Sequence, residues 1–190
     1  YWPPTWVNNV PGLFTGSGMP MRFADLNGNL IDVYQATTQM TDESGQTFPF
    51  TIDTLLNNAL GAQGYYGVFT ANMHTDSAQS SGSDAIVASA QSRGVPIVSA
   101  RQMLTWLDGR NASSFGSLTW DGGTLGFTVN VGIGANGLQA MVPAQWGTKT
   151  LTGLTRNGTP VTFAVSTLKG VQWATFTAGP GAYQATYTGP

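Results

Sequence analysis

One histidine, no cysteine and nine acidic side chains in 190 residues confine the reactive chemistry of this chain to a few places. His74 follows the apolar run Gly67–Met73 and precedes Thr75-Asp76 and a Ser/Gly-rich loop, Ser77 to Ser83. In parallel α/β architectures the C-terminal ends of strands carry the active site, because the loops there vary while the sheet holds them rigidly. An imidazole at such a position titrates near neutral pH and can act as general acid or base. A structural histidine bonded to a loop carbonyl is the other role open to it. Asp42 and Glu43 follow a second candidate strand end, Val33–Met40, and Thr41. Adjacent acids can bind a cation or share acid and base work, and they equally suit a solvated turn. Asn72 and Asp76 flank His74 and are candidate substrate contacts. Trp146 lies in an expected loop, Pro143-Ala144-Gln145-Trp146-Gly147, where an exposed indole could stack on a sugar ring. Trp120 and Trp173 sit within apolar alternation and are expected in a core.

Counting removes several classes. Without cysteine there is no disulfide, zinc thiolate or cysteine nucleophile. A single histidine cannot build a multi-histidine metal site or an H-E-x-x-H motif within this chain. Gly16-Ser17-Gly18 is followed by Met and Pro rather than by a Lys-bearing helix, and no G-x-S-x-G elbow occurs. A net charge of −2 with seven basic residues argues against nucleic acid as a partner. No run of about 18 apolar residues exists to span a membrane. Charged residues make up 8% of the chain, about a third of the usual roughly 25%. Many hydroxyl and amide side chains and six tryptophans take their place, a balance that suits a secreted, carbohydrate-directed protein. Tyr1 to Trp6 lack the basic and apolar regions of a secretory signal, and the expectation is a processed product or a piece of a longer protein. The two Asn-x-Ser/Thr sites, Asn111 and Asn157, are read as chance occurrences.

The elements that must hold these residues fall into two groups. Residues 1–110 carry eight of the nine acids and residues 111–190 carry one, so the chain changes character near Asn111-Ala112-Ser113-Ser114. We therefore expect units at 1–111 and 112–190. In the first, prolines and glycines over residues 3–20 predict an irregular opening. Met21–Ala24 and Leu30–Tyr34 flank Asp25-Leu26-Asn27-Gly28 as a hairpin. Ile52, Leu55, Leu56, Ala59 and Leu60 repeat at helical spacing across Thr51–Leu60, with Gly61 and Gly64 as stops. Gly67–Met73 reads as a buried strand. Asp84–Ser92 reads as a helix between Ser83 and Gly94, Val95–Val98 as a strand, and Ala100–Leu107 as a helix presenting Met103, Leu104 and Leu107. This alternation predicts a parallel sheet. In the second unit, Ser117–Trp120, Thr124–Val131, Leu138–Val142, Lys149–Leu154, Thr159–Val165, Val171–Thr177 and Gly181–Tyr187 are short segments of β character. Their spacing of about ten residues predicts a small antiparallel sandwich.

The run Gly67 to Asp76, then Asp84-Ala85-Ile86-Val87 and Gln91-Ser92-Arg93-Gly94-Val95-Pro96-Ile97-Val98 through Leu104, resembles the end of a NodB-type polysaccharide deacetylase domain. Residues 18–22 and 33–38 resemble, more loosely, the late barrel of secreted deacetylase-like proteins. The resemblance covers roughly residues 50–107. It implies a distorted (β/α) barrel and a zinc-type, metal-dependent hydrolysis in which a carboxylate activates a metal-bound water. It also implies that His74 protonates the leaving amine. The family's Asp pair and H-x-x-x-H/S motif are missing from this chain, so the metal would belong to a parent protein and not to these residues.

The expected fold is thus α/β plus all-β, a partial (β/α) barrel segment followed by a small antiparallel β-sandwich. The expected function is the C-terminal portion of a secreted, polysaccharide-directed hydrolase that removes N-acetyl groups from an amino-sugar polymer, with an N-terminal segment completing the barrel. The rivals are a non-catalytic carbohydrate-binding or cell-surface module, and a glycoside hydrolase remnant using Asp42 and Glu43. The last is disfavoured because neighbouring residues point apart, whereas its two carboxyls must face one cleft about 5–9 Å across.

Overall fold

In a computed structural model, residues 6–7, 10–11, 20–62, 67–168 and 170–189 are described. The expected irregular opening at residues 3–5 and 12–19 and the helix stop at Gly64 lie outside them. Among the described residues strand is the main regular structure, with three α-helices. It forms two compact units, Tyr1–Val98 and Ser99–Pro190.

The first unit begins with two short paired strands, β1 (Trp6–Val7) and β2 (Val10–Pro11). The expected hairpin follows as β3 (Met21–Ala24) and β4 (Leu30–Gln35). Its turn closes on Asp25, whose carboxylate accepts from the backbone N–H groups of Asn27 and Asn29. Next come β5 (Thr38–Thr41), helix α1 (Phe50–Leu60), β6 (Thr70–Asn72) and helix α2 (Ser81–Ser92). β5 and β6 pair in parallel, with α1 as the crossover, the βαβ logic that the alternation predicts. Met40, Ile52, Leu55, Leu56 and Ala90 are buried together, with Phe48, Phe69, Ile86 and Val95 packed on them. The apolar stripe of α1 thus covers β5.

Several expectations fail here. Gly67–Met73 is not a buried strand: only Thr70–Asn72 is strand, with Thr70 half-buried and Ala71 and Asn72 exposed. The expected strand Val33–Met40 is divided between β4 and β5. Helix α2 starts earlier than Asp84, because Ser80 rather than Ser83 is the N-cap and accepts from Ser83 N–H. Val95–Val98 is not a strand. Gly94 takes φ 65°, its N–H donates to Gln91 O and that of Val95 to Ala90 O. This pair of bonds is a Schellman ending, which spends Val95's amide on the helix. Pro96 then has no N–H to give a ladder.

The second unit opens with helix α3 (Ala100–Asn111), capped by Ser99 and Gln102 in a reciprocal box. The helix runs four residues past Leu107, and Leu104 is exposed rather than core-facing. The strands are β7 (Ser114–Trp120), β8 (Thr124–Asn130), β9 (Gln139–Pro143), β10 (Gln145–Trp146), β11 (Lys149–Arg156), β12 (Thr159–Pro160), β13 (Ala164–Leu168), β14 (Val171–Thr177) and β15 (Gly181–Thr188). One antiparallel sheet runs β10-β11-β15-β8-β7, with β12 on β11, and a second runs β13-β14-β9. Phe127, Val129, Leu151, Leu154, Tyr183, Ala185 and Tyr187 from the first sheet meet Val142, Ala174 and Phe176 from the second in one buried cluster. The expected strand Thr159–Val165 splits into β12 and the start of β13. Asn157-Gly158 is the tight turn expected, with φ of 49° and 81°.

Helix α3, placed with the first 111 residues by charge, packs on the β-rich unit instead. Trp106 Nε1 donates to Asn136 O at 3.0 Å, and Gly109 lies flush against the backbone of Ile133, Gly134 and Ala135. The compositional change near residue 112 and the change of packing partner at residue 99 are different boundaries.

Candidate functional site

β5 and β6 leave their shared ladder side by side, since Thr41 pairs with Asn72. Beyond Thr41 the chain makes a single 3-10 turn, Asp42–Ser44, ended by Gly45 at φ 66°. Beyond Asn72 it runs through Met73 to His74. Parallel pairing therefore carries Asp42 and His74, 32 residues apart, to the same end of the sheet. His74 N–H donates to Asp42 Oδ2 at 2.9 Å, and His74 Nδ1 lies 2.9 Å from Asp42 Oδ1. An ionised carboxylate only accepts, so Nδ1 carries the proton on the Asp42 side and Nε2 is the ring nitrogen turned away from Asp42. Glu43 Oε1 stands 3.7 Å from Nε2.

The pair remains accessible: the His74 side chain is 49% exposed and that of Asp42 33%. The hydrogen bond that His74 donates to Asp42 holds His74 above the ordinary imidazole range, helped by the charges of Asp42, Glu43 and Asp76, while burial works against it. Conversely, the ring and backbone bonds from His74 hold the Asp42 carboxyl below its ordinary value. Asp76 therefore contributes charge, and Asn72 is the exposed last residue of β6.

A cavity of about 370 Å³ opens beside Asp42, lined also by Gln46, Phe48, Met73, Gln79 and the first turn of α2, Ser80 to Gly82. Helix α2 comes close here: a Cβ on Gly82 would stand 3.1 Å from Met73 Cε and 3.2 Å from Phe48 Cδ2. None of these lining residues except Asp42 stands out in the sequence. Ser, Gln and Gly there are ordinary loop residues, and only the fold gathers them.

The donor set does not suit a resident metal. Among the described residues no group of three or more His, Asp or Glu side chains is placed to hold an ion. Both Asp42 oxygens already accept from His74.

Trp146 belongs to the second unit and lies on the edge strand β10, not in a loop. Its indole is 60% exposed and its centroid is 5.4 Å from that of Trp120. Trp120, expected in the core, is 40% exposed. It meets the edge of Tyr187 at 5.6 Å, and Tyr187 is anchored by its hydroxyl on Pro143 O. Trp173 is half-buried on β14. No family model matches this chain, and no curated protein or solved structure matches it.

Proposed function

We propose that this chain is the C-terminal portion of a secreted, polysaccharide-directed hydrolase of the deacetylase type, in which the Asp42–His74 pair is the acid. The pairing of His74 with Asp42 at the ends of two parallel strands supports this reading. In amide hydrolysis, water adds to the acetamido carbon and the C–N bond breaks. Protonated His74 gives its Nε2 proton to the departing nitrogen and is left neutral, with Nδ1–H still held by Asp42. The products are acetate and the amino sugar. Elevated basicity keeps a larger share of His74 protonated near neutral pH, as an acid requires. The residues of this chain do not fit the metal that the resemblance implies, so that chemistry would be supplied from outside these 190 residues. On this reading β5, α1 and β6 are part of a barrel and the second unit is a sandwich.

The test is acetate release from N-acetylated glycan oligomers by the natural protein that contains this chain. His74→Ala is expected to lower the rate about 10²–10⁴-fold, the usual contribution of a positioned acid. Undiminished release by that variant, or none from the parent, overturns the reading.

A second reading concerns the β-rich unit alone. The exposed faces of Trp146 and Trp120 suit stacking on sugar rings. Retention of the chain on insoluble glycan is expected to fall for Trp146→Ala. Equal retention removes Trp146 as a contact.

A further inference from the structure

We propose that Gln46 is a positioning residue: its side-chain amide locks the turn that carries Asp42 and so sets the geometry of the Asp42–His74 pair. The proposal rests on reading that pair as the working acid.

Both Asp42 oxygens are spent on His74, so the direction in which Asp42 points is set by the backbone that bears it. Thr41 Oγ1 caps the turn itself by accepting from Glu43 N–H at 3.4 Å, and a second side chain ties that turn back to β5. Gln46 Nε2 donates to Gln39 O at 2.8 Å, and Gln46 Oε1 accepts from Thr41 N–H at 2.9 Å. Gln39 O and Thr41 N–H face the same edge of β5, the edge opposite β6. The planar amide of Gln46 therefore occupies them as a peptide unit of a neighbouring strand would. It closes a short loop containing Asp42 and Glu43, and it does so from the wall of the cavity next to Asp42.

β5 is pinned on its other side as well. Gln39 is 4% exposed and its Oε1 accepts from Thr70 N–H at 2.7 Å, tying β5 to the start of β6. Two glutamines thus fix the strand that launches Asp42 against the strand that launches His74. Without the Gln46 clamp, this edge of β5 and the turn lose two of the hydrogen bonds that fix where Asp42 points. A displacement near 1 Å takes both 2.9 Å contacts beyond hydrogen-bonding distance.

The chain offers a direct reporter, because its only histidine is His74. The imidazole proton resonances of the full 190-residue chain are followed by NMR against pH for the parent, Gln46→Met, Gln46→Asn, Asp42→Asn and Asp42→Asn with Gln46→Met. Methionine keeps the volume and removes both hydrogen bonds. Asparagine keeps the amide and draws it back by one methylene. The acidic residues acting on His74 (Asp42, Glu43 and Asp76) are all retained in both single Gln46 variants, so a changed midpoint reports geometry and not a lost charge.

Both are expected to move the His74 midpoint most of the way to that of Asp42→Asn. Gln46→Met is expected to add nothing once Asp42 is replaced. An unchanged midpoint in either folded variant overturns the proposal, even if the melting temperature falls, since a merely structural role would lower stability alone. If Gln46→Met fails to fold, Gln46→Asn carries the test. Because the readout is titration, a shifted midpoint in a protein that releases no acetate sinks the hydrolase reading and leaves the positioning role standing. Acetate release with an unmoved midpoint does the reverse.

Discussion

Gly109→Ala separates packing from propensity by the sign of its effect. Gly109 sits in the interior of α3, where helix propensity alone predicts a gain of about 1 kcal/mol for alanine. The structure predicts a loss. A Cβ there would run into Ile133 O, Ala135 N and the carbonyl carbon of Gly134, all backbone atoms that cannot rotate away. The helix must therefore lift by about 1 Å to restore ordinary contact distances. Lifting it strains three bonds: Trp106 Nε1 to Asn136 O, Ser113 Oγ to Gly109 O, and Gly132 N–H to Ser113 Oγ. It also begins to uncover Leu107, which is 6% exposed. Overpacking of this kind costs about 1–3 kcal/mol and each of the three weakened bonds about 1, so after the propensity gain of about 1 the net loss is about 3–5 kcal/mol. For a unit of this size that is a fall of roughly 12–40 °C in melting temperature. Tryptophan fluorescence during thermal and urea unfolding of the full chain reads it, since Trp106, Trp120, Trp146 and Trp173 all lie in this unit. A Gly109→Ala protein as stable as the parent, or more so, refutes the packing of α3 on the loop 132–135.

Two further outcomes follow from the same structure. The Asp42–His74 pair should give stability its own pH dependence. Because the folded His74 is raised, its contribution is complete below the ordinary imidazole value of 6.5 and is lost as pH rises through the folded midpoint. Because the folded Asp42 is lowered, its contribution is present above the ordinary 3.8 and is lost as pH falls through the folded midpoint. The urea midpoint difference between parent and Asp42→Asn should therefore be largest between those values and shrink on both sides; a difference independent of pH contradicts the pairing. Tyr183 is 1% exposed, and its hydroxyl donates to Gly179 O and accepts from Gly179 N–H. Tyr183→Phe should cost about 1–3 kcal/mol in urea unfolding, and no change in midpoint would show that the hydroxyl does not hold that corner.

Much of the local structure is legible in the residues. The period of Ile52, Leu55 and Leu56 makes α1, Asn157-Gly158 makes a tight turn, and the Asp25 loop makes a hairpin. Each rests on interactions within a few residues, which order along the chain encodes directly. The strand end before His74 is legible for the same reason. Val95–Val98 shows the limit: its composition suits a strand, but the capping bonds of α2 and the missing N–H of Pro96 claim the segment first.

What order along the chain cannot encode is which distant groups meet. That Asp42 rather than Glu43 grips His74 follows from the parallel register of β5 and β6, and that the turn is clamped follows from where Gln46 returns to β5. Trp120 and Trp146, on strands at opposite ends of the sheet order, meet only because the folded sheet brings their rings together. The sequence by itself determined the inventory: one imidazole, sparse charge, strands and helices of given period. The tertiary structure decided the pairings, because hydrogen bonds and packing act over a few ångströms of space irrespective of separation along the chain.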